Sequence, residues 1–298
     1  MVSKEMEKLI IQMKQNKGDN YKPSVKGYRE SFDQLAQLIK IPKDVMCEPV
    51  DVEGISAEWI SISKKQNNFV VLYFHGGGYV AGSINSHRGL CARLAQASNT
   101  RVMIIDYRLA PEYPFPAALE DCLKVYQWLT SFEGIKSKYI ILAGDSAGGG
   151  LTISTLIRLR NEKLNLPKAG ICLSPLTDLA ISGDSVNTKA EIDPRVTKED
   201  LLFIAKQYLR NEDPKNHYAS PLYADLQGLP PLLIQVGTSE ILFDDSIRFA
   251  DRAKSAGIEV SLEIWDDMFH NFQLYAYSVP EGQEAINKIG MFIQRILK

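Results

Sequence analysis

The segment "YIILAGDSAGGGLTISTLIRLRNEK", residues 139–163, indicates the fold class because it joins an apolar strand to a helix through a serine turn. Ser146 lies in a Gly-x-Ser-x-Gly pattern, between Gly144 and Gly148. Small neighbours allow a strained turn that exposes the serine hydroxyl, and the helix directs its N-terminal amides at developing negative charge. The stretch therefore predicts an α/β fold with Ser146 as a nucleophile; a serine that only caps a helix is the alternative.

From about residue 56 onward, the chain alternates short apolar runs with helical patterns. Strands are predicted for "AEWISIS", "NFVVLYF", "TRVMIIDY", "KYIILAG", "AGICLSP", "PPLLIQVG" and "EVSLEIW", and helices for roughly 86–98, 116–132, 147–163, 243–256 and 281–297. Such alternation indicates a mostly parallel central sheet flanked by helices, in one domain over residues 1–298. The strands before Phe69 are open to antiparallel pairing.

Two segments interrupt this alternation. Residues 1–45 have a helical pattern before the sheet begins. Residues 180–215 contain a helix, with Thr197 as its predicted N-cap, where the next strand would be expected. Insertions at the carboxyl ends of a parallel sheet lie where ligands bind. We therefore expect these two segments to form a helical cap over the serine.

Composition and charge argue against several classes of function. Lys and Arg number 34 against 36 Asp and Glu, and no basic stripe occurs, so neither nucleic acid nor an anionic membrane is expected as a partner. The four cysteines lack metal or disulfide spacing, which predicts reduced thiols in a cytoplasmic protein without a metal. The N-terminal segment lacks a signal-peptide core, and no apolar run approaches the roughly 18 residues of a membrane span.

A serine nucleophile needs a base, and the base needs an acid that orients it. In this fold the order along the chain is serine, acid, histidine, and we assign the base to His270 in "IWDDMFHNF". The acid is expected just after the strand "PPLLIQVG", where Glu240 is the first candidate. Asp244 is the alternative, although Asp244 and Asp245 fall where a helix N-terminus accepts acids. His75 is expected to support the loop that it begins.

The glycine run "HGGG", residues 75–78, follows an earlier strand. Acyl transfer needs an oxyanion hole, with one amide from the residue after the nucleophile, Ala147, and others from such a loop. Glycine suits this loop because a side chain would block the carbonyl oxygen. Neither glycine run carries the lysine of a phosphate-binding loop, so no nucleotide or other cofactor is expected.

Six segments together resemble the hormone-sensitive-lipase-like esterases of the α/β-hydrolases: "HGGGYVAGS", "DYRLAPEYPFPAALED", "GDSAGG", "SPLTDL", "ASPLYADLQGLPPLLIQVG" and "FHNF". The resemblance covers roughly residues 48–298. It implies an oxyanion hole of Gly77, Gly78 and Ala147, a cap of the kind predicted above, and esters with short acyl chains as substrates. Glu240 stands where that family commonly has the aspartate of Asp-Pro-Leu, which keeps Asp244 open as the acid.

The expected function is hydrolysis of a small carboxylic ester through Ser146, His270 and Glu240. An amidase, deacetylase or formamidase on the same frame is one alternative, and an interfacial lipase is another. A ligand receptor is disfavoured because such receptors lack the histidine. A homodimer through "GIEVSLEIW" stays open, because Glu259 and Glu263 would either discourage pairing or face solvent.

Overall fold

The computed structural model describes residues 2–16, 22–62 and 67–297. Within them one sheet is formed by eight strands: β1 (Val45–Val52), β2 (Ile55–Ile62), β3 (Val70–Phe74), β4 (Arg101–Ile105), β5 (Ile140–Asp145), β6 (Ala169–Leu173), β7 (Leu232–Gly237) and β8 (Val260–Trp265). The α-helices are α1 (Lys4–Asn16), α2 (Val25–Leu38), α3 (Ile84–Ser98), α4 (Ala117–Ser131), α5 (Ala147–Asn161), α6 (Ser185–Thr188), α7 (Lys198–Leu209), α8 (Phe243–Ser255) and α9 (Pro280–Ile296).

The strand order is β1-β2-β4-β3-β5-β6-β7-β8, and β3 to β8 pair in parallel. The mostly parallel sheet predicted from the sequence is therefore confirmed, and β1 and β2 add antiparallel pairs at one edge. The sequence did not predict β1, whose residues are half-buried or exposed except for the buried Val52 and include Pro49. Proline is tolerated on an edge strand because its missing N–H faces no partner there.

Two hydrophobic layers cover the two faces of the sheet. All five residues of β3 are buried, and they alternate between the layers: Val70, Leu72 and Phe74 join the side covered by α4, α5 and α8. Val71 and Tyr73 join the side covered by α3 and α9. Because a strand buried on both faces cannot shift its register cheaply, the loops at its carboxyl end start from fixed positions.

The predicted cap segments contain α1 and α2, and α6 and α7. Helix α1 is attached to the C-terminal part of the chain, since the fully buried Met6 packs in a cluster with Phe269 and Phe272. Helix α7 begins as predicted, with a reciprocal capping box between Thr197 and Asp200.

The strand β8 lies at the sheet edge opposite β1. Glu259 forms an exposed ion pair with Arg295, whereas Glu263 accepts a hydrogen bond from Gln235 Nε2 of β7 at 2.9 Å. Glu263 is thus engaged by the neighbouring strand and does not simply face solvent. None of the helices within the described ranges combines the length and the apolar character needed to cross a membrane.

Candidate active site

Ser146 lies in the turn between β5 and α5, with φ 52° and ψ −117°. Such a backbone conformation is costly for a residue with a side chain, so the surroundings must impose it. A Cβ on Gly148 would meet the Phe74 carbonyl, and one on Gly144 would meet Gly148 itself. The glycines therefore let the turn close tightly against β3 and leave the Ser146 hydroxyl at the edge of a pocket.

The side chains of Ser146, His270 and Glu240 form a continuous chain of hydrogen bonds. His270 Nδ1 lies 2.6 Å from Glu240 Oε2, and His270 Nε2 lies 2.9 Å from Ser146 Oγ. When Nδ1–H donates to the carboxylate, Nε2 is left as an acceptor for the serine hydroxyl. The structure thus brings together the three residues predicted from the sequence.

Glu240 is fully buried and held by two further donors. Its Oε1 accepts hydrogen bonds from the Ser174 hydroxyl at 2.8 Å and from the Gly237 N–H at 2.7 Å. A buried carboxylate is costly unless it is hydrogen-bonded, and with His270 on Oε2 both oxygens have partners. Ser174 lies in the quoted segment "SPLTDL", yet no role was predicted for it.

The two aspartates that follow lie in the first turn of α8, the position that the sequence predicted for them. Asp244 Oδ2 accepts the Ser185 N–H at 2.8 Å, which ties α8 to α6. Asp245 Oδ2 accepts the N–H groups of Thr177 and Asp178, which ties α8 to the loop after β6. The carboxylates of these first-turn acids thus also bind neighbouring segments of the chain.

The glycine loop requires its glycines. Gly77 has φ 120° and Gly78 has φ 62°, both in the region that side chains rarely adopt. A Cβ on Gly77 would meet the Ala81 carbonyl, and one on Gly78 would meet the Ile204 side chain. Among the described residues, no acceptor is found for the N–H groups of Gly77, Gly78 and Ala147, which leaves three donors near Ser146.

The pocket above Ser146 has a volume of about 350 Å³. Its floor consists of Gly77, Gly78, Ser146, His270 and Asn271. One wall comes from Ser24 and one face of α2, at helical spacing (Gly27, Tyr28, Ser31, Phe32, Leu35), and another comes from the insertion (Pro194, Arg195, Val196, Leu201, Ile204). Both segments predicted as a cap therefore line the pocket, whose volume lies at the small end of ligand sites.

A family model for the α/β hydrolase fold matches residues 71–274. The chain belongs to the α/β-hydrolase family. A solved esterase of the bacterial hormone-sensitive lipase family is 43% identical and covers 100% of both chains with a TM-score of 0.95. The predicted fold class and the resemblance to hormone-sensitive-lipase-like esterases are confirmed.

Curated relatives of this α/β-hydrolase agree with that placement. An acetyl-hydrolase of Streptomyces hygroscopicus is 40% identical over 267 residues, which are 90% of this chain and 87% of the relative. An esterase of Acinetobacter venetianus is 36% identical over 265 residues, which are 89% of this chain and 87% of the relative.

Asp145, directly before the nucleophile position of this α/β-hydrolase, connects the loops around the site. Its Oδ1 accepts hydrogen bonds from the Tyr73 hydroxyl at 2.8 Å and the Gly76 N–H at 2.9 Å, and its Oδ2 accepts one from Asn271 Nδ2 at 2.6 Å. Burial raises the pKa of Asp145, but His87, the Tyr73 hydroxyl and the charge of Arg195 together lower it more, so the pKa lies below its ordinary value. Asp145 lies in the motif "GDSAGG" and Asn271 in "FHNF", but neither motif alone predicted a role for these two residues.

The other histidines of the α/β-hydrolase differ in their surroundings. His75 Nδ1 donates to the Gly76 carbonyl at 2.8 Å, and the ring stacks on Tyr107 at 4.2 Å, in agreement with the expected support of the loop. Burial, followed by the charge of His87, lowers the pKa of His75 to about 3, which keeps it neutral. His87 is buried 3.3 Å from Asp145, a contact that sequence reasoning did not find, and His217 is exposed.

Within the described ranges, no group of three or more His, Cys, Asp or Glu side chains is arranged to hold a metal ion.

Proposed function

We propose that this protein is a serine carboxylesterase that hydrolyses short-chain, acetyl-like carboxylic esters. The observation that carries the proposal is the unbroken hydrogen-bond chain Ser146–His270–Glu240 beside three N–H groups that have no acceptor among the described residues. Relatives that are named esterase and acetyl-hydrolase support the same reaction class.

The reaction follows from the contacts of these groups. Ser146 Oγ attacks the ester carbonyl while its proton passes to His270 Nε2, and Glu240 stabilises the imidazolium. The N–H groups of Gly77, Gly78 and Ala147 bind the tetrahedral oxyanion. His270 then protonates the leaving alkoxide, and afterwards removes a proton from the water that releases the acid from Ser146.

Glu240 serves as the acid of the triad in this proposal, in place of Asp244. The longer side chain of a glutamate reaches His270 Nδ1 at 2.6 Å while its other oxygen is held by Ser174 and Gly237. Asp244 instead accepts from the Ser185 N–H, so its carboxylate already serves another segment.

The segments 1–45 and 180–215 form the cap that sets which esters enter. The pocket volume of about 350 Å³ and the walls contributed by α2 and α7 support this role. Ile204 of α7 contacts the position of Gly78 and so limits the space directly above the oxyanion donors. A short acyl chain fits such a space better than a long one.

A chain-length series of p-nitrophenyl esters, run beside a matched p-nitroanilide, tests the proposal. Ser146→Ala should lower kcat by about 10⁴ or more with little change in Tm, because the residual rate comes from binding and the oxyanion hole alone. An organophosphate should label Ser146 in the wild-type enzyme. Labelling of another serine, or activity that survives the alanine change, contradicts the assignment; a faster anilide reaction would indicate an amidase.

The location and the assembly of the protein are further proposals. All four cysteines are unpaired thiols, which fits the reducing cytoplasm. The edge strand β8 offers unpaired backbone groups for a homodimer, and Ile264 is half exposed there. Sedimentation at the mass of one chain at all concentrations would contradict the dimer, and activity found in the medium would contradict the location.

A further inference from the structure

Arg195 is a half-buried cation in the wall of the active-site pocket. Its Nη1 donates to the His270 carbonyl oxygen at 3.2 Å. The guanidinium lies 6.0 Å from the ring centre of Phe32 and 5.6 Å from that of Tyr275. Contacts with aromatic faces restrict a guanidinium, so its position beside His270 is defined.

The charge of Arg195 helps to lower the pKa of the buried Asp145, but the two side chains do not form an ion pair. Among the described residues no carboxylate lies within ion-pair distance of its side chain, and no Asp or Glu lines the pocket. Arg88, by contrast, is held by both oxygens of Glu58 at 2.6 and 2.8 Å. A guanidinium has five N–H donors, and the His270 carbonyl uses one of them. Arg195 itself lines the pocket, which also has Lys22 in its wall.

The position of Arg195 indicates which half of an ester it meets. In the proposed reaction His270 Nε2 delivers a proton to the leaving alkoxide, so the alcohol half of the substrate lies next to His270. Arg195 is bonded to the backbone of that same residue. A planar guanidinium with free parallel N–H groups is the donor that matches a carboxylate or phosphate.

We propose that the substrate is an ester whose alcohol part carries an anionic group, a carboxylate or a phosphate, and that Arg195 binds this group. The inference rests on the proposed esterase function and names its substrate class. Lys22, which is exposed at the pocket, adds a second positive charge to the same region.

The test compares 4-acetoxybenzoate with 4-acetoxybenzamide, which share an acetyl group and differ in the charge of the alcohol part. The kcat/KM ratio of anionic to neutral ester should fall about 10- to 100-fold in Arg195→Met, mainly through KM, because a hydrogen bond to a charged group is lost. The two esters differ in intrinsic reactivity, but this difference cancels because the same kcat/KM ratio is measured for the variant and for the wild type. Arg195→Lys should restore part of the ratio, and 4-acetoxyphenyl phosphate shows which anion is preferred.

Arg101→Met is the matched control, since it removes the same charge at the start of β4, away from the carboxyl ends of the strands where the site lies. Its ratio should equal that of the wild type. Inhibition of the wild-type enzyme gives a measurement that needs no variant: 4-hydroxybenzoate should compete with p-nitrophenyl acetate at least tenfold better than 4-hydroxybenzamide. Equal inhibition by the two compounds contradicts the inference.

Three other outcomes would overturn the proposal. If Arg195→Met slows both esters equally, Arg195 only positions His270 through its carbonyl. If Arg195 discriminates charge in the acyl part, tested with mono-p-nitrophenyl glutarate against p-nitrophenyl valerate, the alcohol assignment is wrong. If the wild-type enzyme cleaves p-nitrophenyl acetate but does not prefer esters of anionic alcohols, this inference is refuted and the esterase function is not. If the wild-type enzyme shows no hydrolysis that depends on Ser146, the esterase function itself is refuted.

Discussion

The floor and the walls of the pocket are built in different ways. At the floor and beneath it, His270, Glu240 and Asp145 are each engaged by at least two hydrogen bonds, and each lies at the end of a strand or in the loop that follows one. The walls rely on side-chain packing, such as the Tyr28 and Phe203 rings at 6.0 Å and Ile204 above Gly78. Bond making needs geometry held to fractions of an ångström, whereas selection by shape needs only occupied volume.

The largest expected effect of a single substitution is on kcat, and it comes from Glu240. Glu240→Gln should lower kcat by about 10²–10⁴ with a small change in Tm, because the imidazole loses its charge partner and its fixed tautomer. Asp244→Asn removes a negative charge four residues away and should leave kcat within a few-fold. Steady-state kinetics with p-nitrophenyl acetate and thermal unfolding of both variants measure this. A dead Asn variant beside an active Gln variant would assign the acid to Asp244.

A wall residue should change selectivity more than rate. Ile204, which is 5% exposed on α7, limits the space above Gly78, so Ile204→Ala should shift the preferred p-nitrophenyl acyl chain to a longer one. The ratio of kcat/KM for hexanoate over acetate should rise by about 3- to 30-fold, since each CH₂ accommodated gains roughly 0.8 kcal/mol. Leu202 lies on the same helix but is 53% exposed, so Leu202→Ala is the control and should leave the ratio unchanged. An unchanged ratio in Ile204→Ala would contradict the wall's role.

The smallest expected effect is on stability alone. Burial raises the pKa of Asp245 from 3.8 to about 7, against the opposing hydrogen bond from the Thr177 N–H. Between these values the folded protein keeps a proton that the unfolded chain has lost, so stability falls as pH rises through this window. Asp245→Asn cannot ionise, and its Tm relative to wild type should rise by a few °C between pH 5 and pH 8.

Activity should stay within a few-fold in that variant, because Asp245 contacts the loop after β6 and none of the three residues of the hydrogen-bond chain. Asp251→Asn, at an exposed position of the same helix, gives the matched control. A constant difference in Tm over the whole pH range would show that Asp245 does not hold its proton in the folded protein.

The sequence was most informative where a function depends on neighbouring residues. The strand, turn and helix around Ser146 are contiguous, so their packing is encoded locally and was predicted. The role of Asp145 was missed because its partners Gly76 and Asn271 are 69 and 126 residues away, a relationship that no spacing rule contains. Arg195 was missed for a related reason: it lies in an irregular part of the insertion, where no periodic pattern indicates which side chains face the site.

Asp145 also has a consequence for the order in which the protein becomes active during synthesis. Its carboxylate holds the Gly76 loop, which is synthesised before it, and Asn271, which is synthesised 126 residues after it. Contacts at such separations form only after the chain between them is organised. A nascent chain that has already folded β3 and β5 therefore carries Ser146 without a base. Such a chain cannot hydrolyse an ester until His270 has been synthesised and has reached the site. Hydrolysis by this protein therefore requires that β8 and the loop after it have joined the sheet.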